Sequence, residues 1–272
     1  MSTDVTSVPP SRYVPGPLAR VGASIGFWAY QYRRTWRGTV VSSVLTPVLF
    51  LAAMGVGLGA LVDDGGRLDN DYLIFLAPGL LAATAMQTGV FESMYPVMGA
   101  IKWVRTYHAM LATPLGVGDI LLGHLLWVVF RVTSTAAVYL AVIALFGAAP
   151  SLTALLALPA ATLCGMAFAA PIFAFSAGYE SPSGFAALER FVIVPMFLFS
   201  GTFFPVSQLP EVLQWVAYAT PLYHGVELCR ALVGGTQTAL DAVGHIGYLL
   251  LWVAGGVLAA FFFFRRRLEA TG

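Results

Sequence analysis

Apolar residues fill this chain in long uninterrupted runs, and polar residues gather in the stretches between them. Six runs stand out, at 40–62, 72–94, 120–146, 152–177, 187–204 and 245–264. A helix needs roughly 20 apolar residues to cross a hydrocarbon core of about 30 Å. The runs lack the alternation of barrel strands, and a segment in lipid must satisfy its own backbone, so helices are the spanning form. The pattern predicts an all-α membrane protein of six transmembrane helices in a single domain at 39–272. Ahead of it lie a flexible tail at 1–17, with Pro9, Pro10, Pro15 and Pro17, and an amphipathic helix at 18–38. No apolar signal-peptide core follows within the first 30 residues, so the tail is read as cytoplasmic.

In the 18–38 segment, Leu18, Val21, Ile25, Trp28 and Tyr32 recur at three- and four-residue steps, while Arg20, Arg33, Arg34 and Arg37 supply charge. That is an interfacial helix. It suits both a juxtamembrane anchor and a connector that slides along the inner leaflet and touches a cytoplasmic partner.

Two further segments are organised but too short to span. Between the second and third runs, Ile101, Val104, His108 and Leu111 form one helical stripe, Trp103, Tyr107 and Met110 form another, and Thr113-Pro114 stops the helix. A short helix over 99–112 with apolar residues on two sides wants a protein groove. Aromatic anchors rimmed by Lys102 and Arg105 suit such docking, and a helix lying flat on headgroups is the alternative. Between the fifth and sixth runs, Pro205, Pro210 and Pro221 cut a partly apolar segment into two pieces, read as re-entrant outer helices packed against protein. Glu227 and Arg230, three apart, can pair there as an outer lid or a passive cap.

Composition agrees: of 272 residues, 58% are hydrophobic and 10% charged, with a mean hydropathy of +0.81. A soluble domain carries about a quarter charged residues. With the N-terminus inside, the inner segments hold Arg12, Arg20, Arg33, Arg34, Arg37, Lys102, Arg105, Arg190, Arg265, Arg266 and Arg267, against Arg67 and Arg230 outside. This bias predicts cytoplasmic N- and C-termini and an even number of spans. Thirteen arginines to one lysine, with abundant Ala, Gly and Val, suggest a GC-rich bacterial genome and hence the inner membrane. No nucleic-acid partner is expected.

Glu92, near the inner end of the second apolar run, and Arg131, about three turns into the third, are charges set in apolar surroundings. Such residues are functional candidates by default, and an ion pair is the leading use. They are too few for a proton relay, which weakens an ion-coupled secondary transporter. A phosphate-binding loop needs Gly-Lys-Ser/Thr, yet Lys102 stands between Ile101 and Trp103, so ATP is not split here by that motif. Ser200 with His245 is the tempting pair for an intramembrane enzyme, but no glycine lies two residues before the serine. Cys164, Cys229 and the histidines have no metal-ligand spacing, and no catalytic residue, metal or cofactor is expected in this chain.

Two stretches carry a family resemblance. One runs from Phe91-Glu92 through Tyr107 to Leu115 with Gly118–Gly123, the other from Phe199 to Pro210 with Thr220-Pro-Leu-Tyr-His224. Together they resemble the ABC-2 permease subunits of bacterial ATP-binding-cassette exporters, especially those exporting nodulation lipo-oligosaccharides or conferring daunorubicin resistance. The resemblance implies two permease copies, identical or related, each served by a separate ATPase subunit that holds ATP and Mg. It makes 99–112 the coupling helix, with Lys102, Trp103, Arg105, Tyr107, Thr113 and Pro114 as contacts, and places Trp28, Arg33, Arg34 and Arg37 in the connector. It also points to Phe197, Phe199 and Phe203 as pathway lining. The cargo implied is an amphipathic or hydrophobic drug, lipid or lipid-linked glycan.

Overall fold

The computed structural model describes residues 15–38, 45, 48–50, 52–53, 71–148, 151–179, 181–235 and 238–269. Among them every regular element is helical. In chain order these are α1 (Pro17–Tyr32), α2 (Asp71–Ser93), α3 (Tyr95–Met98), a π turn (Gly99–Trp103), α4 (Thr106–Leu111) and α5 (Val117–Leu145). After a 3-10 turn at Leu152–Leu156 come α6 (Ala157–Gly178), α7 (Ser183–Leu188), a second π turn (Glu189–Ile193) and α8 (Val194–Phe199). A 3-10 turn at Val206–Gln208 leads into α9 (Glu211–Tyr218), α10 (Pro221–Gly234) and α11 (Ala239–Glu269).

Four helical runs among the described residues are long and apolar enough to cross a membrane: Ile74–Trp103, Val117–Leu145, Leu152–Gly178 and Leu240–Glu269. They match the second, third, fourth and sixth predicted spans. Most of the predicted first span, the loop after it and most of the 1–17 tail lie outside the described residues. The fifth span is shorter than expected. Its helical run ends at Phe199, because Gly201 takes a positive φ of 83°, and irregular backbone follows from Ser200 to Pro205.

α6 is the central element, packed along most of α11 and against α2, α5 and α10. Small residues permit the close crossing with α2. A Cβ on Gly89 would stand 2.4 Å from the Gly165 carbonyl oxygen, and one on Gly165 would stand 2.6 Å from Val132 and 2.7 Å from the Ala85 carbonyl oxygen. Helices in lipid associate through such backbone-to-backbone fit, since burying apolar surface from apolar solvent gains little. The same device seats α10 in the bundle, where Gly225 faces Cys164. Both Cys164 and Cys229 are buried thiols.

One end of the bundle collects α4, the start of α1 and the end of α11, with Lys102, Arg105 and Arg265–Arg267; this is the basic end. Arg267 donates to the carbonyls of Ala177 (2.7 Å) and Tyr179 (3.0 Å), closing the C-terminus of α6 with the charge its dipole favours. The far end holds the start of α2, the 3-10 turn before α6 and the end of α10, where the Thr153 hydroxyl donates to the Leu232 carbonyl at 2.6 Å and Arg230 reaches the Phe75 carbonyl.

Gly165→Val must force α2 and α6 apart. The expected result is a loss of about 1–3 kcal/mol, read as a lower thermal unfolding midpoint in mild detergent. Gly247→Ala, where no atom lies within 4 Å of the added Cβ, leaves that midpoint unlowered.

Candidate functional site

At the basic end, the predicted single helix over 99–112 is broken. α2 stops at Ser93, Met94 kinks the backbone, and Pro96 sits in the first turn of α3. The π turn then closes with the Val104 amide donating to the Gly99 carbonyl at 2.8 Å. Arg105 adopts the left-handed conformation (φ 56°), at a cost of about 1–2 kcal/mol for a residue with a Cβ. α4 starts anew from there and ends where the Thr113 hydroxyl donates to the Met110 carbonyl at 2.6 Å, just ahead of Pro114.

This break sorts the residues predicted to couple to the ATPase into two groups. Trp103 is 55% and Val104 76% exposed, and Lys102 and Arg105 flank them at the surface. Tyr107 is fully buried, so the expectation that it presents its ring to a partner is corrected. Its hydroxyl shares a 2.6 Å hydrogen bond with His124 Nδ1 on α5, and its ring meets Trp28 of α1 and Phe264 of α11. Burial holds the Tyr107 hydroxyl well above its ordinary titration range, so it stays protonated. The segment is a tip, Lys102–Arg105, fastened to three helices through one tyrosine.

The helix predicted as a connector is also shorter than expected. α1 ends at Tyr32, residues 33–35 form a turn and 36–38 a further helical turn, so Arg33, Arg34 and Arg37 lie beyond α1, all exposed. Trp28 is turned inward and stacks on the His124 ring at 3.7 Å. Ser24 reaches the backbone of α5 because position 123 is glycine; a Cβ there would overlap Ser24 at 2.4 Å. Arg20 pairs with Asp119 at 3.4 Å. α1 is therefore docked on protein along one face.

Glu92 and Arg131, 39 residues apart in sequence, meet in space. Arg131 Nε donates to Glu92 Oε1 at 2.9 Å, and another guanidinium nitrogen donates to the Tyr32 hydroxyl at 2.9 Å. The guanidinium also lies 4.5 Å from the Tyr32 ring centre. Side-chain exposures of 8% for Arg131 and 23% for Glu92 make this a substantially desolvated pair.

At the far end, Arg230 ties three elements together. It pairs with Glu227, donates to the Phe75 carbonyl at 3.3 Å and the Gly201 carbonyl at 2.8 Å, and stacks on the Phe75 ring at 3.8 Å. The predicted outer pieces are α9 and α10, and Thr220 caps α10 by accepting from the Tyr223 amide. Phe197 and Phe203 meet edge to face at 5.1 Å, and Phe199 is exposed beside Leu198, Val194, Val192 and Phe191. Ser200 shares a 2.8 Å hydrogen bond with the Thr220 hydroxyl and His245 pairs elsewhere, so the two do not form a nucleophile and base.

Sequence reasoning missed the partner of His245. Its Nδ1 lies 2.8 Å from His224 Nδ1, and His224 Nε2 lies 3.0 Å from the Tyr218 carbonyl. A carbonyl only accepts, so His224 carries its proton on Nε2 and accepts at Nδ1 from His245 Nδ1–H. His224 is held below its ordinary value near 6.5, first by burial and then by the His245 ring, with the Tyr218 bond opposing. With the His245 proton on Nδ1, protonating His224 sets two N–H groups against each other.

The sequence profile described as "ABC-2 type transporter" matches residues 26–233. Nodulation protein J of Rhizobium leguminosarum bv. viciae is 34% identical over 249 residues, covering 89% of this chain and 95% of that protein. The same-named protein of Rhizobium leguminosarum bv. trifolii is 34% identical over 248 residues (89% and 94%), and that of Rhizobium meliloti (strain 1021) 33% identical over 250 residues (89% and 94%).

Two outcomes follow. Arg131→Ala strands Glu92 in an apolar setting and lowers stability by about 3–5 kcal/mol, whereas Glu92→Gln with Arg131→Met recovers most of the loss; thermal unfolding of the purified variants reads both. Because His224 is depressed in the folded protein, its contribution is complete above its unfolded value and is lost as pH falls below about 6.5 toward the depressed value. The unfolding midpoint therefore drops on acidification through that window, and His224→Gln flattens the dependence.

Proposed function

This chain belongs to the ABC-2 type transporter family, and we propose that it is the membrane-spanning permease of an exporter driven by a separate ATPase. The basic end faces the cytoplasm, both termini lie there, and the membrane is the bacterial inner membrane. The observation that carries the reading is the Lys102–Arg105 tip. A side chain that transmits force must be exposed at one end and stiffly rooted at the other, and Trp103 is joined within four residues to Tyr107, buried among α1, α5 and α11. Trp103 and Val104 form the apolar centre of the contact, and Lys102 and Arg105 its polar rim. Thr113 and Pro114 hold the return of the chain.

ATP and Mg bind the partner, and its closure on ATP is passed to the bundle as a rigid shift, since packed interfaces move between discrete arrangements. Two ATPase subunits serve two permease copies, the same chain or a relative of it. The exposed apolar residues Phe191, Val192, Val194, Leu198 and Phe199 supply a face for the second copy, and Phe197 and Phe203 stand beside it toward the pathway. Glu227 and Arg230 close the outer mouth by holding α10 against α2 and the 201 turn. The cargo is an amphipathic or hydrophobic molecule, such as a lipid, a lipid-linked glycan or a drug, moved outward.

The test is a reconstitution of permease with its ATPase in vesicles. Trp103→Ala is expected to leave the permease folded in the membrane while transport per ATP falls by about tenfold or more, as for the loss of an interface anchor. Tyr107→Ala behaves differently, lowering thermal stability by about 3–5 kcal/mol through the void it leaves. Unchanged coupling with Trp103→Ala would discard the tip as the docking site.

A further inference from the structure

Two imidazoles from different helices point the same ring nitrogen at each other. His224 comes from α10, and His245 from α11, about 9 Å along the axis from the first residue of that helix. Their Nδ1 atoms are 2.8 Å apart, and both rings are half-buried.

The His224 ring is held on several sides. Its Nε2–H donates to the Tyr218 carbonyl at 3.0 Å, and Tyr248 of α11 stacks on its face at 4.0 Å. The Tyr248 hydroxyl is itself tied to the Ala219 carbonyl at 2.6 Å, and Tyr223 meets both imidazoles edge-on, at 5.4 and 6.3 Å. A histidine that ligates a metal almost always donates its other N–H to a carbonyl, carboxylate or water, which fixes the tautomer and aims the lone pair. His224 already has that arrangement, with its Nδ1 lone pair directed at the neighbouring ring. Charge favours a cation there as well. The carboxylates of Glu227, one turn after His224, and Asp241, one turn before His245, act on the His245 ring, and Arg230 on α10 is paired with Glu227.

We propose that His224 and His245 bind a divalent transition-metal ion of the Zn²⁺ or Cu²⁺ kind, which takes the place of the proton between them. In the metal-free pair His245 donates from Nδ1. On binding, that proton leaves Nδ1 and the ring is reprotonated at Nε2 from water. Both imidazoles stay neutral, two metal–nitrogen bonds form, and no net proton is released. Nitrogens roughly 2.0–2.1 Å from a tetrahedral ion stand about 3.3 Å apart, so the rings part by about half an ångström. Imidazole nitrogen selects such ions over Mg²⁺ and Ca²⁺, which take oxygen. Among the described residues no third His, Cys, Asp or Glu completes the set, so water fills the remaining positions. The ion is therefore exchangeable, a clip that fastens α10 to α11 when it is present. Its binding does not depend on the permease reading.

The purified protein, freed of any affinity tag, is titrated in mild detergent with Zn²⁺, Mg²⁺ and Ca²⁺ by calorimetry. Zn²⁺ is expected to saturate at one ion per chain, with Mg²⁺ and Ca²⁺ at least about tenfold weaker. His224→Gln and His245→Gln are each expected to weaken Zn²⁺ binding by about a hundredfold, the upper end of what losing a ligand's supporting partner costs. His108→Gln, on α4, leaves it unchanged. The unfolding midpoint without metal is checked for each variant, and a readout on the unaltered chain stands beside them: its Cu²⁺ complex is expected to show electron-spin hyperfine splitting from two imidazole nitrogens. A spectrum with one such nitrogen or none, Mg²⁺ binding as tight as Zn²⁺, no saturable Zn²⁺ binding, or binding that survives the loss of both histidines would leave the pair a hydrogen bond only and overturn the proposal.

Discussion

An arginine within an apolar helix bundle has to be neutralised and hydrogen-bonded on the spot, and much of the basic half of this protein is arranged around that demand at Arg131. Desolvating such a charge costs several kcal/mol, recovered only with good geometry on every side. Here the carboxylate comes from α2 and the hydroxyl and ring from α1. The interfacial helix is thereby drawn onto the bundle, which brings Trp28 over His124 and, through His124, reaches Tyr107. The exposed Lys102–Arg105 tip and the charge at Arg131 are thus rooted in one packed network of side chains that runs from Tyr107 through His124 and α1 to Tyr32.

The far end meets a related constraint by a different route. Irregular backbone at membrane depth survives only when protein satisfies its carbonyls, and the chain is irregular from Ser200 to Pro205. Arg230 supplies donors to Gly201 and to Phe75, and the hydroxyls of Ser200 and Thr220 satisfy each other. The turn that ends α8 and the start of α10 are therefore joined by side chains, and the histidine pair adds a tie from α10 to α11.

Four spans were legible because uninterrupted apolar length is a one-dimensional signal, and membrane burial leaves few other uses for it. The basic bias was equally legible, since charge counts need no contacts. What escaped was three-dimensional. Trp103 and Tyr107 lie on one stripe of an ideal helix, yet the left-handed Arg105 between them turns one outward and the other inward, and nothing in the local sequence demands φ > 0 at an arginine. The π turns at Gly99–Trp103 and Glu189–Ile193 leave no composition signal either. His224 and His245 are 21 residues apart on separate helices, so their contact exists only once α10 folds back on α11. Glu92 and Arg131 were legible as a pair of intramembrane charges, but Tyr32, which completes their coordination, read as part of an amphipathic stripe.

The two cysteines carry a practical consequence. Cys164 sits where α10 crosses α6, Cys229 is buried on α10, and burial pushes the Cys229 thiol up to about 12. Thiol reagents act on accessible thiolate, so the natural chain is close to silent toward maleimides and methanethiosulfonates while it remains folded. Spin labels or fluorophores can then be attached at a single introduced site with the native thiols left in place, and any slow reaction of Cys164 or Cys229 becomes a clock for the opening of the helix crossing that hides them.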